Sequence, residues 1–151
     1  MNDLKIYFNI FGPRQSPESQ YAAVIPKFIY ALLNQQPLTI HGDGLQTRDF
    51  AYVANVVTAN IAATQAPVSA CGQAYNIGCG ERISLLDLVQ IMSATLNFTP
   101  TLIHTPKRSG DIRDSFADIS RAQSWGYSPV IDLKKGLSHT INWSQTRVVS
   151  A

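Results

Sequence analysis

The 151-residue sequence predicts a single α/β domain, and two patterns carry that expectation. Short β-branched and aromatic runs closed by Gly or Pro alternate with longer stretches whose apolar residues recur every three or four positions. The length suits one domain with its own core, residues 1–151, and falls short of two ordinary ones. Hydrophobic residues make up 45% and charged residues 15%, which separates the chain from disordered sequences and implies that part of its surface is normally covered.

Taken in order, residues 4–11 read as one strand rich in Ile, Tyr and Phe and closed by Gly12-Pro13. After a polar loop at 14–20, Ile25, Phe28, Ile29, Leu32 and Leu33 recur at helical spacing. Pro26 is tolerable only in the first turn of that helix, which should end before Pro37. Leu38 to His41 is a short strand, Gly42-Asp43-Gly44 a tight turn and Thr47 to Tyr52 a return segment, together a small hairpin. Val53, Val56, Val57 and Ile61 mark the next helix. Ala74 to Gly78 forms a further strand, followed by a Gly-Cys-Gly turn. Ser84 with Asp87 three positions on is a capping box for a helix whose face is Leu85, Leu88, Val89 and Met92. Thr101 to Thr105 reads as a strand and 106–118 as a polar stretch with few core residues. Ser120 is expected to cap a short helix ended by Gly126, and Asp132 to cap the last one, with Leu133, Leu137 and Ile141 facing inward.

Several function classes are disfavoured. Twelve Lys and Arg against ten Asp and Glu give a formal charge of +2, and the basic residues are scattered, without the continuous positive face that tracks a nucleic-acid backbone. Cys71 and Cys79 lack CxxC spacing and are too few for a zinc site, and reduced thiols point to the cytoplasm. His41, His104 and His139 stand singly, without HExxH or other ligand spacing, so no metal is expected. No run approaches the roughly eighteen apolar residues that span a membrane, and the N-terminus lacks the apolar core of a secretory signal. A soluble cytoplasmic protein is the expectation. Tyr75 and Trp143 read as core or interface aromatics.

Three polar clusters interrupt the α/β pattern. They are Asn9 with Arg14 and Gln15; Gly42-Asp43-Gly44 with Arg48 and Asp49; and Lys107-Arg108-Ser109-Gly110-Asp111 with Arg113 and Ser115. Guanidinium forks match phosphate oxygens bidentately, so arginines from separate loops suit a diphosphate, while Asp, Gln and Ser suit sugar hydroxyls. Structural readings stand beside this. Arg48-Asp49 is by spacing alone a solvated turn or ion pair more often than a ligand site, Asn9 could bond neighbouring backbone, and Gly42-Asp43-Gly44 could be only a turn.

Read together, "YFNIFGPRQ", "YAAVIPKFI", "LTIHGDGLQTRDFAYVANVV", "AYNIGCGERISLLDL" and "KRSGDIRDSFADIS" resemble the C-terminal part of extended short-chain dehydrogenase/reductases of the NAD-dependent epimerase/dehydratase family. The resemblance runs from about residue 4 to Trp143 and points to the UDP-N-acetylglucosamine (UDP-GlcNAc) 4-epimerases of bacterial polysaccharide synthesis. It implies an α+β-like, substrate-binding lobe led by a strand of the family's large parallel sheet. It further implies that Asn9 bonds a UDP-sugar near its diphosphate, that Gln15 lies near the sugar, and that Ala23 and Val24 contact the ligand. The strand containing Ile40 would run along the uracil. Arg48 and Arg108 would clamp the diphosphate, Asp111 would hold ribose hydroxyls and Ser115 would lie near the N-acetyl sugar. Asp49 and Asn55 are structural on this reading, and Ala54 replaces an acidic residue often found there.

The family's NAD site, a GxxGxxG phosphate loop, and its Ser/Thr and YxxxK acid–base residues have no counterpart in the sequence. Hydride transfer needs the nicotinamide, so the resemblance implies NAD for the full-length family and neither cofactor binding nor turnover by this chain alone. A uronic-acid-nucleotide relative or a dehydratase remains open for the substrate, and a non-catalytic relic or protein-interaction module for the class. The leading strand, without its sheet neighbours, would be a sticky apolar edge that favours self-association.

Overall fold

The computed structural model describes residues 4–18 and 23–148. Met1 to Asp3, the last two residues of the loop expected at 14–20, and Tyr21 and Ala22 of "YAAVIPKFI" lie outside the described residues.

The expected strand at 4–11 is two strands: β1, Leu4–Tyr7, and β2, Ile10–Phe11. Asn9 between them takes φ 30°, a left-handed conformation that Asn tolerates better than branched residues. The bend sends the two halves to different partners. β1 pairs in parallel with β6, Ala74–Ile77, from Leu4 opposite Ala74 to Tyr7 opposite Ile77. β2 pairs in parallel with β5, Ala51–Tyr52. The leading strand is therefore not wholly unpaired, because β6 takes one of its edges.

Helix α1, Val24–Leu33, has Pro26 in its first turn and buries Ile25, Phe28, Ile29 and Leu32. The hairpin does not form. β3, Leu38–His41, pairs in parallel with β8, Leu102–Thr105, and the return segment breaks into β4, Thr47–Arg48, and β5. β4 lies antiparallel to β7, Ile83–Ser84. The five-residue connection 42–46 has its own hydrogen bonds: the Leu45 N–H donates to Asp43 Oδ1 and Gln46 Nε2 donates to the His41 carbonyl. Closing a loop locally thus frees β3 to pair with a distant strand.

Helix α2, Val53–Thr64, buries Asn55, Val56, Ala59 and Ala63. The expected markers Val53, Val57 and Ile61 face outward. Helix α3, Leu85–Leu96, carries the expected capping box: the Asp87 N–H donates to Ser84 Oγ, and the Ser84 N–H donates to the Asp87 carboxylate. Helix α4, Ser120–Gln123, differs from expectation at its start, since Ser120 is already helical and its N–H donates to Asp118 Oδ1 instead. Gly126 ends it at φ 95°. Helix α5, Leu133–Val148, starts as expected, with the Lys135 N–H donating to Asp132 Oδ1.

Two apolar clusters result. The larger joins Phe11, α1, β3, Leu85, Leu88 and Met92 of α3, and Leu133, Leu137 and Ile141 of α5. The smaller gathers Ala59, Ile77, Tyr75, Trp125 and Tyr127 around β6, and so places Tyr75 in the core; Trp143 is half-buried. No helix among the described residues is long and apolar enough to cross a membrane.

Candidate functional site

A cavity of about 580 Å³ opens between α1, β3, β4 and the irregular segment 106–118. One face of α1 supplies Val24, Lys27, Phe28 and Ala31, at helical spacing. Asn9 enters from the β1–β2 bend, and Ala23 from the residue before α1. Arg48 comes from β4, Arg108 and Asp111 from 106–118. A smaller hollow of about 200 Å³ adjoins it through His41, Gln46 and Asp111.

Of the residues singled out in the sequence, Asn9, Ala23, Val24, Arg48, Arg108 and Asp111 are brought together here. Gln15, Ile40 and Ser115 do not line the cavity. Ile40 is wholly buried in the larger core, and Leu38, Thr39 and His41 of β3 line the cavity in its place. Thr39 and His41 lie on the face of β3 opposite Ile40, and the alternation in "LTIH" is the signal by which these two could have been found. Gln15 uses its Nε2 to donate to the Ile10 carbonyl at 2.9 Å. Ser115 donates its backbone N–H to the Thr47 carbonyl, tying 106–118 to β4.

The central electrostatic feature is a pair, not two independent groups. Arg48 Nη2 lies 2.7 Å from Asp111 Oδ1, with both side chains mostly buried. Arg48 Nη1 also donates to the carbonyls of Thr47, at 2.8 Å, and Arg113, at 3.2 Å. The fork is thereby fixed in the cavity wall, with Asp111 as its counter-ion. Arg113, in turn, pairs with Asp43 at 3.2 Å. The Leu45 N–H and then Arg113 hold the Asp43 carboxyl below its ordinary range.

Behind the cavity, Asp49 supports the wall. Its carboxylate is fully buried and accepts from the N–H groups of Cys79 at 2.8 Å, Gly80 at 2.9 Å and Ala117 at 3.3 Å. Its own carbonyl accepts from Asn9 Nδ2 at 2.9 Å, which fixes Asn9 in its bent conformation. Asn55 bridges α2 to the stretch before α5 by accepting from Val130 and Ile131 and donating to the Ile131 carbonyl. Both residues are structural hubs. Burial, with the Asp49 charge second, pushes the Cys79 thiol up to about 11, so it is a protonated wall group rather than a nucleophile. Cys71 and Cys79 are both free thiols.

A dinucleotide pyrophosphate needs a strand, a glycine-rich turn with free N–H groups, and a helix. The Gly78-Cys79-Gly80 turn after β6 offers such glycines, yet its N–H groups already donate to Asp49. A Cβ added at Gly78 would stand 2.8 Å from the Asp49 carboxylate, and the turn leads to β7 rather than to a helix. NAD does not fit at that turn.

The family model for NAD dependent epimerase/dehydratase proteins matches residues 4–78, about half of the chain. A UDP-glucose 4-epimerase of Thermotoga maritima, solved with UDP-glucose, superposes with a TM-score of 0.90 at 29% identity, covering 97% of this chain and 46% of that one. A UDP-N-acetylglucosamine 4-epimerase of Methanobrevibacter ruminantium, in complex with UDP-N-acetylmuramic acid, gives a TM-score of 0.88 at 37% identity over 96% of this chain and 46% of that one. The UDP-N-acetyl-alpha-D-glucosaminuronate decarboxylase of Bacillus cytotoxicus is 33% identical over 144 residues, 91% of this chain and 44% of that protein. The chain thus spans less than half the length of these relatives. Its fold is that of a part of the extended short-chain dehydrogenase/reductases. Within that class, the chain belongs to the NAD dependent epimerase/dehydratase family.

Proposed function

We propose that residues 1–151 form the substrate-binding C-terminal part of a UDP-sugar 4-epimerase that interconverts UDP-GlcNAc and UDP-GalNAc in the cytoplasm for polysaccharide synthesis. The convergence of Arg48, Arg108 and Asp111 on one cavity carries this reading. Two guanidinium groups balance a dianionic diphosphate, and a carboxylate suits a vicinal diol. Arg48 and Arg108 hold the diphosphate, Asp111 turns from Arg48 towards ribose hydroxyls, and Asn9, Ala23 and Val24 line the approach. The uracil lies along β3 through Thr39 and His41 rather than through Ile40. Gln15 and Ser115 flank this set without lining the cavity and are assigned only to the sugar's surroundings. Hydride transfer and acid–base chemistry belong to an NAD-binding part that these residues do not supply, so the chain by itself binds and does not turn over.

Calorimetric titration with UDP-GlcNAc, with UDP as comparison, tests this reading. Micromolar to millimolar binding is expected, weakened at least tenfold in Arg48→Ala and in Arg108→Ala. Arg48 also anchors Thr47 and Arg113, whereas the Arg108 side chain forms no ion pair among the described residues, so Arg108→Ala separates ligand contact from wall support. A folded chain that ignores both nucleotides would sink the proposal.

One observation favours a second reading, an interaction module. Val53, Val57 and Ile61 form an outward stripe on α2, and the Tyr7 hydroxyl donates to Asn60 on the same helix. Ile6 and Tyr7 of β1 are exposed as well. A strand with one edge paired and an apolar stripe beside it is the arrangement through which copies of the chain self-associate.

A further inference from the structure

We propose that the face built by β1 and α2 docks a parallel-stranded α/β body and holds it without a covalent link. That body carries the dinucleotide site which the turn at 78–80 cannot provide, since the N–H groups there serve Asp49. The inference rests on the reading that NAD chemistry lies outside these residues, and it says where the part supplying it would sit.

The edge of β1 is the first observation. Among the described residues β1 pairs only with β6, in parallel. The Phe8 N–H donates to the Ile77 carbonyl at 3.1 Å, so by alternation Ile6 and Phe8 turn their backbone groups to β6 while Lys5 and Tyr7 turn theirs outward. Outward N–H and C=O groups are a template for another strand. Two strands are too few for an independent sheet, and parallel sheets are covered by helices on both faces. Parallel neighbours are joined by long crossovers rather than tight turns, so the pairing makes no demand on chain continuity.

Both faces of β1 call for that cover. Successive side chains point to opposite faces, and Ile6 and Tyr7 are 44% and 41% exposed. The Tyr7 hydroxyl donates to Asn60 of α2, so α2 flanks the Tyr7 face, where Val53, Val57 and Ile61 extend the apolar surface. The occupant therefore adds a strand to the edge and apolar cover to both faces, which is the anatomy of a sheet wound with helices on its two sides. A second copy fits less well. A two-fold axis perpendicular to the sheet sets β1 antiparallel to its mate and returns α2 to the face it already flanks, leaving Ile6 open. In the solved relatives the matched region is 46% of the chain, so slightly more than half of each remains for such a body.

The test co-expresses the parent chain with an affinity-tagged part of the Methanobrevibacter ruminantium UDP-N-acetylglucosamine 4-epimerase, the part outside the matched region. Retention on the tag and a one-to-one mass by light scattering, without nucleotide, are expected. Lys5→Pro removes one outward N–H and spares the β6 ladder, so it should weaken association at least about tenfold at an unchanged urea midpoint. Val57→Lys combined with Ile61→Lys should do the same from the α2 side. A parent chain that is not retained, equal retention of both variants, or copies that stay associated beside the tagged part would each overturn the inference. A lowered midpoint in Lys5→Pro would mean that its N–H is already engaged, and overturns it as well. UDP binding by the parent chain alone, followed by calorimetry, does not depend on these outcomes, so the cavity reading is judged separately.

Discussion

Asp49 shows how one side chain can join three parts of a chain. Its two oxygens take three backbone N–H groups from the turn after β6 and from Ala117, and its carbonyl holds Asn9 at the cavity. Asp49→Asn keeps the shape but turns an N–H donor toward groups that are themselves donors. At a fully buried position the expected loss is about 2–3 kcal/mol, read as a lower urea midpoint at unchanged slope. A stability equal to the parent would mean that the amide finds other partners. The sequence read Asp49 and Asn55 as structural and Arg48 as a clamp. It could not reveal that Arg48 and Asp111, sixty-three positions apart, would be each other's counter-ions, because only folding sets that distance.

At the scale of elements, caps and breakers were legible and faces were less so. Ser84 with Asp87, and Asp132, begin their helices as the local rules require, since a cap needs only neighbours a few residues away. The residues that marked α2 did not give its face: small Ala59 and Ala63 turn to the core with Val56, while Val53, Val57 and Ile61 stay outside. A related constraint governs α5. Gly136 lets that helix approach Phe11 and Tyr52 so closely that an added Cβ would stand 2.9 Å from both rings. Gly136→Ala should therefore destabilise by about 1–2 kcal/mol despite Ala's better helix propensity, since overpacking outweighs that gain. Thermal unfolding checks the sign, and a rise in midpoint would show that the rings yield.

For the whole molecule, the open edge of β1 and the α2 stripe carry the expectation of association. Light scattering after size exclusion should show concentration-dependent species in the parent chain. The double variant Val57→Lys, Ile61→Lys should shift the population to monomer without lowering stability, because these side chains are 53% and 58% exposed already. A parent chain that stays monomeric on concentration would refute the interaction reading and leave the nucleotide-sugar reading untouched.

The sequence by itself determined the α/β alternation, the starts of α3 and α5, the family resemblance and the residue types that suit a diphosphate, because each depends on short-range pattern or on motif order. Tertiary structure alone decided which strands pair, that β3 joins β8 instead of a hairpin, that Ile40 is core while Thr39 and His41 face the cavity, and that Lys27 shares that cavity with two arginines. Pairing and convergence depend on contacts between residues far apart in the chain, whose free energy exists only once the intervening loops have closed.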